Sequence, residues 1–184
     1  MNIIKKIEFY IRNKIKVDKS NLIINDWNNK IRNSKMTLRG ENNKIEIRKN
    51  VNLQKVSFEV RGKNNIIEIG EDTILGENTY LILRGDNHKI KIGKNCMFSR
   101  NVKLMASDGH KIYVDGKEEN MNGDIFIGDN VWITDNVTIL KNIKIGNGSV
   151  IGINTTVTKS FEEENVLIVG NPGKITKRNI NWEK

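Results

Sequence analysis

Two histidines, one cysteine and three tryptophans are where unusual chemistry could arise in this 184-residue chain. An imidazole can take or give a proton near neutral pH, so the histidines come first. His88 lies in Arg84-Gly85-Asp86-Asn87-His88-Lys89-Ile90. A repeat aligns it with Asn43 and Asn65, so it occupies a corner that Asn fills equally well. His110 falls outside the repeat. Ile92, Phe98 and Leu104 lead successive hexads and predict a further leader near residue 110, yet the next regular one is Ile127. The polar stretch inserted there opens with Asp108-Gly109-His110. A side chain at the root of a loop on a rigid scaffold is well held and open to solvent, which suits catalysis; a solvated turn histidine is the alternative. Cys96, four residues after Ile92, reads as a small core residue. Trp132, between inward-facing Val131 and Ile133, points outward.

The elements that would position these residues are legible as repeats. An aliphatic residue recurs every six positions at Ile127, Ile133, Ile139, Ile145, Ile151 and Val157. Four residues after each of the first five stand Val131, Val137, Ile143, Ser149 and Thr155. Neither a helical period nor strand alternation gives this pattern. A triangular coil does, with three short strands, inward aliphatics and a turn at each corner. Stacked coils make a parallel β-solenoid, an all-β architecture. In the N-terminal half Thr37–Ile47 is echoed by Glu59–Ile69 and Ile82–Ile92, with Arg-Gly at 39/40, 61/62 and 84/85. The periods of 22 and 23 imply an 18-residue coil with four or five extra residues bulging at one corner.

Composition narrows the partners. The formal net charge is +9. Residues 1–40 hold ten Lys or Arg against three Asp or Glu, so +7 of that charge lies there. No zinc-finger, helix-turn-helix or RNP-like pattern accompanies it, and a nucleic-acid partner is not expected. One Cys excludes an internal disulfide framework and fits a reducing compartment. Two His make a histidine-rich metal site improbable, so no metal is expected. No apolar run suits export or membrane crossing. Ile4, Ile7 and Ile11 share a face of a short N-terminal helix that either caps the open end of the solenoid, the favoured reading, or lies on an anionic membrane.

Ile127-Gly128-Asp129-Asn130-Val131-Trp132-Ile133, Ile145-Gly146-Asn147-Gly148-Ser149-Val150-Ile151-Gly152, Val157-Thr158-Lys159 and Gly170-Asn171-Pro172-Gly173-Lys174 resemble the hexapeptide-repeat acyltransferases. The likeness covers roughly residues 60–178. It implies a left-handed parallel β-helix, usually a homotrimer with active sites between subunits. Gly109-His110 matches the catalytic histidine of galactoside acetyltransferases and polysaccharide O-acetyltransferases, which implies a general base acting on an acceptor hydroxyl. Asp108 would orient that ring or contact the sugar, or simply form a turn. In polysialic acid O-acetyltransferases a Trp in the same Val-Trp-Ile context lies close to the reacting centre. Trp132 would then be either an oxyanion donor or a residue buried against a neighbouring subunit. Acetyl-CoA contacts carried over by resemblance fall on Asp135, Ile153, Thr158, Lys159, Lys174 and Lys177. The cations among them, with Arg178, lie near the end of the solenoid, either where a nucleotide phosphate is neutralised or as an ordinary solvated basic tail.

The resulting expectation has a basic cap at 1–24, a β-helix at 25–178 with a loop extruded at 106–124, and a tail at 179–184. The function expected is acetyl-CoA-dependent O-acetylation of a sugar hydroxyl on a surface polysaccharide, capsule or O-antigen, with sialic-acid-containing polymers included. N-acetylation of a nucleotide-linked amino sugar is the alternative enzyme. A zinc hydratase and a non-catalytic scaffold stand further off. A cytoplasmic location is expected, with peripheral attachment at the inner membrane face through residues 1–19 as the variant.

Overall fold

The computed structural model describes residues 3–119 and 122–184. Positions 1, 2, 120 and 121, which fall within the expected cap and insertion, lie outside the described residues. After a helix, α1 (Ile3–Arg12), the chain winds as stacked triangular coils. The first face of the prism carries parallel strands Lys14–Val17, Lys35–Glu41, Ser57–Lys63, Tyr80–Asp86, Lys103–Met105, Thr138–Ile139 and Thr156–Val157 in that spatial order. The second face runs from Leu22–Asn25 to Ile143–Ile145. The third runs from Lys30–Arg32 to Leu167–Val169, and Lys174–Lys177 returns antiparallel along that last strand.

Each coil places its aliphatics directly above those of the coil before. One column is Met36, Phe58, Leu81, Leu104, Ile139 and Val157; another is Leu53, Leu75, Phe98, Ile133 and Ile151. All are essentially inaccessible to solvent. At roughly 1.5–3 kcal/mol per buried side chain, these ladders are the main favourable term holding the coils together. Cys96 lies inside, as expected, and burial pushes its thiol up to about 11.

The corners explain the abundance of asparagine. Asn78, Asn101, Asn136 and Asn154 all have left-handed backbone at the corner between the third and first faces, as do Asn42, Asn64, Asn87 and Asn142 between the first and second. Asn tolerates this conformation because its short amide bonds locally. The amides also stack: Asn78 Nδ2 donates to Asn101 Oδ1 at 3.1 Å, Asn101 Nδ2 to Asn136 Oδ1 at 3.0 Å and Asn136 Nδ2 to Asn154 Oδ1 at 3.0 Å.

Three expectations are corrected by the structure. The extra residues of the longer repeats do not bulge. They extend the first-face strand to seven residues, fully paired through Arg39↔Arg61↔Arg84 and Gly40↔Gly62↔Gly85. Gly62 has φ +114°, and a Cβ there would overlap the Gly85 carbonyl oxygen, so close stacking demands glycine. Second, the coils begin before residue 25, because Lys14–Val17 and Leu22–Asn25 already pair with the coil above. Third, α1 packs on the first coil, but not through Ile4, Ile7 and Ile11, which are exposed. Its buried residue is Phe9, packed edge-on against Trp27 at 5.8 Å.

Replacing Asn101 by Val forces a β-branched residue into the left-handed region and removes two amide bonds, whereas Gly keeps the backbone at ease. Asn101→Val is expected to lower stability in urea unfolding by at least about 1–2 kcal/mol, and Asn101→Gly by less.

Candidate active site

Among the described residues the stack is interrupted after the first-face strand Lys103–Met105. The chain leaves the prism at Ser107, forms a small hairpin (Tyr113–Val114 with Lys117–Glu118) and re-enters where Asn122 bridges back to Ser107. His110 sits at the outgoing root and is exposed, and among the described residues its ring has no hydrogen-bond partner. Gly109 turns the chain with φ +85°, and its N–H donates to Ser107 Oγ at 3.1 Å. The carboxylate of Asp108 is paired with Lys141 Nζ from the coil above. That pair ties the loop root to the solenoid and directs Asp108 away from the role of orienting the His110 ring.

Directly below lies a charged cluster that the sequence did not disclose. Glu59 Oε1 accepts from Arg84 Nη2 at 2.8 Å and Arg61 Nε at 3.0 Å, while Oε2 accepts from the Tyr80 hydroxyl at 2.8 Å. Partial burial alone would raise the Glu59 pKa, but the hydrogen bonds from Arg84 and Tyr80 outweigh it and hold the carboxyl below its usual range. Tyr80 is pushed up to about 12 by burial and by the adjacent carboxylate. Arg84 Nη1 lies 3.6 Å from where a Cβ would stand on Gly109, which places the cluster next to the loop that carries His110. The only sequence signal was the recurring Arg-Gly pair, which shows arginines in register but not what they touch.

The other histidine behaves as a rung. His88 N donates to Asn65 Oδ1 at 3.0 Å, just as Asn65 N donates to Asn43 Oδ1 at 3.0 Å, and its Nδ1 lies 3.3 Å from Asp124 Oδ1.

Trp132, Asp135 and Ile153 meet around one open groove of about 680 Å³ beside the third face, with Gln54, Glu77, Ser99 and Arg100. The Trp132 indole N–H donates to Ser99 Oγ at 3.2 Å, and its ring packs against Trp182 of the returning tail at 5.8 Å. Asp135 accepts from the side chain of Arg100 at 2.7 Å and from its backbone N–H at 2.8 Å; those bonds hold its carboxyl below the usual range. Ile153 is 61% exposed. Thr158 and Lys159 are exposed just beyond the first-face strand Thr156–Val157, with Lys159 Nζ 5.7 Å from the Phe161 ring. Lys174 and Lys177 are exposed on the returning strand. Arg178 is paired with Glu163. Within one chain, therefore, His110 stands between the first and second faces while the Trp132 groove opens beside the third.

The family model for bacterial transferase hexapeptide (six repeats) matches residues 124–159. The crystal structure of the polySia-specific acetyltransferase NeuO superposes with a TM-score of 0.78 at 30% identity, covering 95% of this chain and 83% of that one. The chain belongs to the hexapeptide-repeat acyltransferase family. Its coils are those of the family's left-handed parallel β-helix. A polysialic acid O-acetyltransferase of Escherichia coli O1:K1 / APEC is 37% identical over 91 residues, covering 48% of this chain and 29% of its own length. A probable macrolide acetyltransferase of Lysinibacillus sphaericus is 44% identical over 62 residues, 34% of each protein. The matches thus span about a third of the curated relatives' length.

Glu59 should make stability depend on pH on the acid side. Its folded pKa is depressed, so its contribution is complete above the unfolded value of about 4.3. It is lost as pH falls through the lower folded value. Urea unfolding of Glu59→Gln against the parent chain is expected to show the variant less stable at neutral pH, the gap narrowing below about pH 4.

Proposed function

We propose that the chain is an acetyl-CoA-dependent O-acetyltransferase acting on a sugar hydroxyl of an acidic surface polysaccharide or its precursor. The observation that carries this reading is the placement of His110. It is an exposed imidazole at the break between Ser107 and Asn122 in the described solenoid of an acyltransferase family. His110 removes the acceptor hydroxyl proton as the oxygen forms its bond to the acyl carbon. The carbon–sulfur bond breaks, and the imidazolium returns the proton to the departing thiolate. The donor supplies the activated acyl group.

The residues of the third-face groove, with those at the end of the first face and on the returning strand, fit such a donor in character. Trp132 and Ile153 offer apolar contact, and Lys159, Lys174 and Lys177 offer cations to phosphates. Thr158 and Asp135 complete the proposed contacts, with Asp135 acting through Arg100. Because His110 and this groove belong to different faces, we place each site between neighbouring subunits of a homotrimer, His110 from one and the groove from the next. Trp132 walls the groove there; to serve as an oxyanion donor it exchanges Ser99 for the reacting oxygen. Asp108 supports the loop root through Lys141. The acidic character of the acceptor is supported by the stacked Arg39, Arg61 and Arg84, in which one carboxylate, Glu59, serves two guanidinium groups.

His110→Ala is expected to lower acetyl-CoA turnover with a glycan acceptor by about two to four orders of magnitude, with an unchanged urea midpoint; unaltered turnover would remove the mechanism. A second measurement tests the acceptor. Acetylation of sialylated polymer, neutral polysaccharide, free sugars and nucleotide-linked amino sugars, followed by mass spectrometry, is expected to show alkali-labile O-acetyl groups on the acidic polymer. Transfer confined to the amino sugar would replace this reading with N-acetylation.

A further inference from the structure

The helix that closes the prism is mounted with its apolar stripe outward. Successive helical residues advance by about 100°, so Ile3, Ile7 and Ile11 fall on one stripe, flanked by Ile4 and Tyr10. Phe9 points to the opposite side. Phe9 is the buried anchor, at 6% exposure, whereas Ile3, Ile7, Tyr10 and Ile11 are 53–78% exposed. Lys5 bonds to Asn28 and Lys6 lies 6.0 Å from the Trp27 ring, so the polar side of α1 grips the first coil. Clustered aliphatics of this size on a protein surface mark a docking site.

Charge selects the occupant. Residues 3–19 hold six Lys or Arg against two carboxylates, a net +4. A second copy brought to this face would meet like charge, while a surface of anionic headgroups would neutralise it. The helix is ten residues long, too short to span a bilayer, but it has the build of one that lies in the interface plane. We propose that α1 docks the prism end-on onto an anionic lipid surface, its isoleucines entering the headgroup boundary and Lys14, Lys16 and Lys19 meeting the phosphates. The inference is independent of the proposed catalytic reading. It holds the prism upright, with the strand preceding His110 four rungs above the first, or roughly 19 Å at the usual inter-strand spacing.

The test is cosedimentation of the full chain with vesicles of phosphatidylcholine alone or mixed with phosphatidylglycerol. Partition is expected to favour the mixed vesicles by at least about tenfold at low salt and to weaken as salt rises. Ile7→Glu, at an exposed position, is expected to abolish that partition with an unchanged thermal melt. Ile11→Ser serves as the second variant should the first fail to fold. Lys14→Glu/Lys16→Glu is expected to remove the preference for phosphatidylglycerol. Equal recovery with both vesicle types, or undiminished binding by the folded helix variants, would overturn the proposal. So would a chain that ignores vesicles but dissociates on light scattering when Ile7 becomes Glu, since the stripe would then join copies of this chain.

Discussion

Register between coils is the constraint on which the rest of the molecule depends. In a parallel stack every coil takes its backbone hydrogen bonds from the coil before and after, so a slip in one turn would leave polar groups unpaired and turn aliphatics outward. The corners enforce this register. A left-handed residue at a fixed place in each turn bends the chain sharply enough to keep three short strands per coil, and asparagine supplies both that backbone and an amide for the neighbouring rung. The aliphatic ladders then supply the energy, and the corners decide where each side chain goes.

Against so uniform a scaffold, irregularity is informative. The stack opens at Ser107 and closes again at Asn122, leaving the next coil in register with the one below. The excursion is therefore tolerated without disturbing the core, and it brings out the one histidine that is not a rung. Its root is tied to the coil above by the Asp108–Lys141 pair, and the Arg84–Glu59 cluster of an earlier coil lies next to it.

The hexad spacing made the solenoid legible, because only one arrangement puts Ile127, Ile133, Ile139, Ile145, Ile151 and Val157 on the inside together. His88 and Cys96 were readable for the same reason: each falls on a repeat position whose role is fixed by its neighbours in the stack. The orientation of α1 was not readable. Its periodicity announces an apolar stripe but does not say what faces it, and a single aromatic, Phe9, captured the end of the prism instead. The bonds of Trp132 were equally hidden, since its partners Ser99 and Trp182 lie 33 and 50 residues away along the chain. Asp108 looked like a neighbour of His110 by adjacency, yet a lysine of the next coil claims it.

The last residues of the chain run back down the corner between the second and third faces. Ile180 N donates to the Asn165 carbonyl, Trp182 Nε1 to that of Asn130, and Lys184 Nζ to Asp72 O and Asn95 Oδ1. In a solenoid each coil otherwise meets only adjacent coils, so unravelling can start at an end and proceed turn by turn. A lashing that joins the final residues to turns laid down 112 positions earlier breaks that pattern. Peeling the carboxyl-terminal turn must first undo contacts spread over several others, which couples the fraying of one end to the integrity of the middle.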